Sequence, residues 1–93
     1  MIKSFHDKKA EKLFNRTPSR KLPRSIQRVA MRKLWMLGAA TEINDLRMSP
    51  GNRLEALRGN RKDQHSIRIN QQWRICFVWK QSDAYEVEIT DYH

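Results

Sequence analysis

At about residue 53 the apolar side chains of this sequence change their period. Upstream they recur every third or fourth position, the repeat of one helix face. Downstream they alternate with polar residues, the repeat of a pleated strand. Residues 7–16, DKKAEKLFNR, place Ala10, Leu13 and Phe14 at helical spacing, with Asp7 as the N-cap. The prolines of TPSRKLP break that helix, and a second is expected over about 23–38, with Pro23 in its first turn. Ile26, Val29, Ala30, Leu34 and Leu37 form its apolar stripe, and Gly38 suits its C-terminus. EINDL adds one more turn, and RMSPGN is a loop.

The alternating half reads as strands. HSIRIN sets Ile67 and Ile69 against Ser66, Arg68 and Asn70. WRICFVW sets Trp73, Ile75, Phe77 and Trp79 against Arg74, Cys76 and Val78. AYEVEI puts Tyr85, Val87 and Ile89 on one face and Glu86 and Glu88 on the other. Gln71-Gln72 and QSD are short enough for hairpin turns. Ile2 and Phe5 suit a short first strand, at an edge or as a parallel partner. The expected layout is a strand, two helices, then an antiparallel meander of about four strands with helices on one face.

Charge narrows the function. The 93 residues, a single expected domain over 1–93, are 39% apolar and 31% charged, which describes a thin core under a large polar surface. Residues 1–33 carry eleven basic and two acidic side chains, a net of +9, whereas residues 34–93 carry eight of each. A basic first third is the footprint of a polyanion-binding surface, and nucleic acid is preferred over mere solubility. Within it, Arg24, Arg28 and Arg32 fall four apart on one exposed helix face, and Lys21 to Lys33 is a candidate grip for RNA. The single cysteine, Cys76, allows no internal disulfide and has no metal-ligand spacing around it, so neither metal nor cofactor is expected and a reducing cytoplasm fits. No stretch has the length of a signal peptide's apolar run or of a membrane span, so no membrane association is expected.

Alternation also aims side chains. Arg68 and Arg74 point away from the aromatic-rich face, onto a sheet surface the helices leave open. Arg58 and Arg61, in LRGNRK with Lys62, flank Gly59, and the chain closes on Asp91, Tyr92 and His93. Arginine matches phosphate bidentately, so such a cluster is a candidate phosphate-ester site. Structural roles compete with this. Arg68 alone reads as a solvated charge, and Arg74 has Glu86 or Glu88 as plausible partners. His65 reads as a packing residue, His6 has no evident partner, and Trp35, Trp73 and Trp79 read as core or half-core. Metal-free RNA cleavage requires that a 2′-hydroxyl lose its proton, that a pentacoordinate phosphate be stabilised, and that the leaving 5′-oxygen gain a proton. The tail with Arg58 and Arg74 contains residue types for all of these.

The string NRLEALRGNRKDQHSIRINQQWRICFVW, followed by DAYEVEITDYH, resembles the C-terminal half of HigB-type toxins of the RelE superfamily, and the opening MIKSF is similar too. The resemblance rests on the Leu-x-x-Leu-[Lys/Arg]-Gly frame, the WRI strand and the terminal Asp-Tyr-His, in order and at compatible spacing. It implies an α+β, microbial-RNase-like fold with a mostly antiparallel sheet of about five strands and two to three helices on one face. It implies ribosome-dependent cleavage of messenger RNA on the 70S ribosome. It also implies neutralisation by a helix-turn-helix antitoxin of HigA type, through which alone operator DNA would be bound. By matching positions, Arg58 and Arg74 would bind the scissile phosphate, His93 would transfer protons, Tyr92 would position or stack on a nucleotide, and Asp91 would orient its neighbours. Arg61, Lys62 and Arg68, with Lys21, Arg24, Arg28 and Arg32, would hold RNA or the ribosome.

One position departs from the pattern. Several family members have histidine where this chain has Glu55, which is either the base or a salt-bridge partner of Arg53 or Arg58. The competing functions are a non-catalytic toxin of the same fold that acts by binding, as gyrase poisons do, and a degenerate regulatory partner. The Asp91-Tyr92-His93 ending with Arg74 favours the enzyme.

Overall fold

The computed structural model describes residues 1–59 and 63–91. Among them the chain forms α1 (Lys8–Phe14), α2 (Arg24–Ala39), α3 (Ile43–Arg47), a 3-10 turn (Pro50–Asn52), and strands β1 (Glu55–Ala56), β2 (Gln64–Arg68), β3 (Trp73–Lys80) and β4 (Asp83–Asp91). The strands make an antiparallel sheet in the order β1-β2-β3-β4, an α+β architecture with the helices against one face.

Asp7 caps α1 as its sequence position predicts. One carboxylate oxygen accepts the Ala10 N–H at 2.7 Å, and the other accepts the Ile89 N–H at 3.1 Å, so the cap also ties α1 to β4. Ile26, Ala30, Leu34 and Leu37 are buried along α2 at the expected spacing. Gly38 lies inside the helix instead of ending it. A Cβ there would sit 3.3 Å from the Phe14 ring, so the missing side chain lets α1 approach α2. Gln27 fastens the proline-broken connection by donating to the carbonyls of Ser19 (2.7 Å) and Leu22 (2.9 Å). The core between helices and sheet is built on Leu13, Leu34, Leu37, Leu46, Ile67, Ile75, Phe77, Val87 and Ile89.

Two expectations change in the sheet. The N-terminal segment does run parallel to β4, but as isolated bridges, Ile2 to Ala84 and Phe5 to Val87, and not as a continuous strand. The cause is a bulge in β4. Glu86 has φ of 52°, and the β3–β4 register steps from Val78–Tyr85 to Cys76–Glu88. The Ser4 hydroxyl fills the interrupted position by accepting the Glu86 N–H at 2.8 Å. The extra residue also breaks the alternation, so Val87 and Ile89 enter the core while Tyr85 pairs with Val78 instead of sharing their face.

Candidate functional site

Residues paired across an antiparallel ladder share a face. The β2–β3 pairs Ser66–Cys76 and Arg68–Arg74, and the β3–β4 pairs Cys76–Glu88 and Arg74–Thr90, therefore lie on one surface, opposite the core residues Ile67 and Ile75. At its end an open cleft of about 470 Å³ is lined by Arg53, Leu54, Glu55, Arg68, Asn70, Gln71 and Arg74. Three guanidinium groups and one carboxylate make it electropositive.

Arg74 is held from two sides. Its Nε donates to Ser66 Oγ at 2.8 Å and its Nη2 to the Arg53 carbonyl at 2.8 Å, which fixes the plane of the guanidinium. Ser66 is fully buried. Arg53 reaches its place because it adopts φ of 44° after the 3-10 turn, a left-handed conformation uncommon outside glycine and asparagine. That turn is anchored by Asn52, 1% exposed, whose Nδ2 donates to the Leu46 carbonyl at 3.0 Å. Arg68 stands directly opposite Arg74. Like charges in that relation repel, so an anion placed between them would relieve the strain.

Glu55 pairs with Ser66 and lines the same cleft. Among the described residues it forms no ion pair with Arg53 or Arg58. Arg58 is exposed in the β1–β2 connection and is not part of the lining. That connection meets β2 at Gln64, and the four residues from there to Arg68 span about 14 Å of strand. Asp91 pairs with Trp73, and its Oδ2 accepts from Gln72 Nε2 at 3.1 Å, so it is Thr90 that shares the face of Arg74. Tyr92, His93, Arg61 and Lys62 lie outside the described residues.

The basic helix surface is separate from the cleft. Arg24, Arg28 and Arg32 are all exposed along α2, and Lys21 borders a groove of about 350 Å³ with Lys8, Lys9, Lys12 and Arg20. Lys33, expected among these surface cations, is instead buried at 8% exposure. Burial first, and then Arg32, Arg68 and Arg74, hold its pKa below the ordinary lysine value. His65 packs as expected, stacked on Phe77 at 6.1 Å, and burial followed by Arg47 lowers its pKa. His6 gains the partners its sequence context hides, lying 3.5 Å from Glu86 and 3.3 Å from Glu88.

Sequence reasoning missed three contributors: Ser66, the Arg53 carbonyl and Lys33. Ser66 shows only as the polar half of an alternation, and nothing local marks a backbone carbonyl as a ligand. Among the described residues no group of three or more His, Cys, Asp or Glu side chains is arranged to hold a metal ion.

Comparisons with known proteins bear on this arrangement. Residues 3–93 match the family model described as the RelE-like toxin of type II toxin-antitoxin system HigB. The chain is 44% identical over 80 residues to Toxin HigB-1 of Vibrio cholerae, covering 85% of this chain and 84% of that protein. It is 35% identical over 94 residues to Endoribonuclease HigB of Proteus vulgaris, covering 100% of both. An uncharacterized Haemophilus influenzae protein is 38% identical over 64 residues, covering 69% of this chain and 63% of that protein.

Proposed function

Because the chain belongs to the HigB-like family, the RelE-like toxins of type II toxin-antitoxin systems, we propose that it is an endoribonuclease that cuts translated messenger RNA on the ribosome. Membership brings an antitoxin partner. We take that partner to be of the helix-turn-helix HigA type, with operator DNA contacted only through it and the toxin acting in the cytoplasm.

The observation that carries this reading is the Arg68–Arg74 pair. Two guanidinium groups stand in register at an open cleft, one of them locked by Ser66 and the Arg53 carbonyl. Such a pair suits a phosphodiester whose charge grows in the transition state, since prepositioned donors need no reorganisation as that charge develops. In the reaction, the 2′-oxygen attacks the adjacent phosphorus while the Glu55 carboxylate takes the hydroxyl proton. Arg68 and Arg74 bind the equatorial oxygens of the pentacoordinate phosphate. The P–O5′ bond then breaks and His93 protonates the departing 5′-oxygen, leaving a 2′,3′-cyclic phosphate and a 5′-hydroxyl. Tyr92 positions a flanking nucleotide and Asp91 orients its neighbours. Arg58, together with Arg61 and Lys62, contacts a flanking backbone phosphate instead of the scissile one, consistent with its distance along β2. Lys21, Arg24, Arg28 and Arg32 hold ribosomal RNA.

Primer extension on messages translated by purified ribosomes tests this, comparing the intact chain with Arg74→Ala and His93→Ala. Ribosome-dependent cuts that vanish in both variants are the expected result. Intact messages together with altered DNA supercoiling would replace the enzyme with a gyrase-poisoning toxin.

A further inference from the structure

Lys33 is the one buried member of the basic first third. Nothing about the core asks for it. An ammonium drawn out of water loses hydration at substantial cost, and an apolar residue in such a place is often neutral or stabilising. Its position 33 on α2 lies between the exposed Arg32 and the core residue Leu34, so an apolar side chain would satisfy the helix equally well.

The ammonium spans two elements instead. Lys33 Nζ donates to the Gly51 carbonyl, in the 3-10 turn, at 3.3 Å, and also to the Arg68 carbonyl at the end of β2. These are the two supports of the cleft. Two residues beyond Gly51 the chain presents the Arg53 carbonyl to Arg74 Nη2, and Arg68 is the residue registered against Arg74. One charge from α2 thus sets the spacing between the turn and the strand whose arginines face the cleft. Its field adds to theirs, since Arg68 and Arg74 are near enough to lower its pKa.

We infer that Lys33 is a positioning residue of the cleft, its ammonium holding the Gly51 and Arg68 carbonyls so that Arg68 and Arg74 meet one phosphate together. The inference rests on reading the cleft as a phosphodiester site. Lys33 touches neither substrate nor reacting atoms; it acts through the backbone of its neighbours.

The test uses the full chain with Lys33→Met, which keeps the length and removes the charge, and Lys33→Gln, which keeps a donor. Single-turnover cleavage on message-programmed ribosomes and thermal unfolding are measured on each. Lys33→Met should slow cleavage about 10- to 100-fold, with the ribosome concentration for half-maximal rate unchanged and the unfolding temperature equal or higher. Lys33→Gln should recover part of the rate. A purely structural role predicts the reverse pairing, and Lys33→Met cutting at the wild-type rate, or losing activity only as it unfolds, would overturn the inference. If the wild-type chain leaves messages intact, the functional reading fails and not the anchor. Affinity for a 2′-O-methyl oligonucleotide then decides: weaker binding by Lys33→Met supports the anchor, and equal binding overturns it.

Discussion

Arg74 and Arg28 carry the same charge in very different surroundings. Arg74 is half-buried in a strand, with its Nε on Ser66 Oγ and its Nη2 on the Arg53 carbonyl. Arg28 stands exposed on α2 with Arg24 and Arg32 a turn to either side. The helix surface is the more strongly basic of the two, yet its cations are free to reorient in water. The cleft carries fewer cations, and the guanidinium of Arg74 is fixed in direction by hydrogen bonds. The first arrangement suits nonspecific attraction to a polyanion, which depends on charge number and salt. The second suits one phosphate in one geometry, which depends on direction. Count and direction are separable properties, so the two regions should respond to different substitutions.

The sharpest way to break this comparison is to keep charge and change shape. Arg74→Lys retains a cation but loses the planar fork and the two-point attachment, so cleavage should fall by about 100-fold or more. Arg28→Lys should leave it unchanged. Equal effects at the two positions, measured as single-turnover rates, would mean that geometry is irrelevant at the cleft. Next in size is the helix surface: Arg24, Arg28 and Arg32 replaced together by alanine should weaken ribosome association about tenfold at low salt. The slope of log affinity against log salt should drop by about one for each phosphate no longer neutralised, with the rate on saturated ribosomes unaltered. A fall in that saturated rate would merge the two regions into one.

Smaller effects sharpen the picture. Ser66→Ala removes a support for Arg74, a hydrogen bond to a charged group worth about 1.5–3 kcal/mol, and part of this should appear as roughly tenfold slower cleavage with the message still bound. No change would mean that Ser66 does not orient Arg74. The smallest expected change is in stability. His65 has its folded pKa lowered below 6.5, so on acidification the unfolded chain binds the proton first. Its contribution is complete above the unfolded value and erodes as pH falls from there toward the folded one. His65→Gln should flatten that part of the melting-temperature profile between about pH 7 and 5. An unchanged profile would mean that His65 is not the group responsible.

Most of the fold was legible. The N-cap at Asp7, the α2 stripe, the extra turn at Ile43–Arg47 and the alternating strands all follow from repeats of a few residues, which neighbouring side chains enforce locally. The failures share one cause. The bulge at Glu86, the close approach of Phe14 to Gly38 and the bridged N-terminal segment each depend on a partner distant in sequence. At the site, the sequence reading paired Arg58 with Arg74 on the scissile phosphate and left Arg68 to hold RNA, whereas Arg74, Arg68 and Glu55 line one cleft and Arg58 is not in its lining. It could not distinguish Arg58 from Arg74, because which end of a strand faces a pocket is a matter of pairing.

The sequence by itself determined where the helices and the antiparallel meander form, which side chains of β2 and β3 share a face, and that the positive charge is concentrated in the first third. Tertiary structure alone decided which cations act together. Arg74 finds Ser66 and the Arg53 carbonyl eight and 21 residues away, and Lys33 reaches carbonyls 18 and 35 residues away. A period is repeated locally along the chain and survives in the sequence. A pairing across such separations exists only once loop closure and strand register have brought the two ends together.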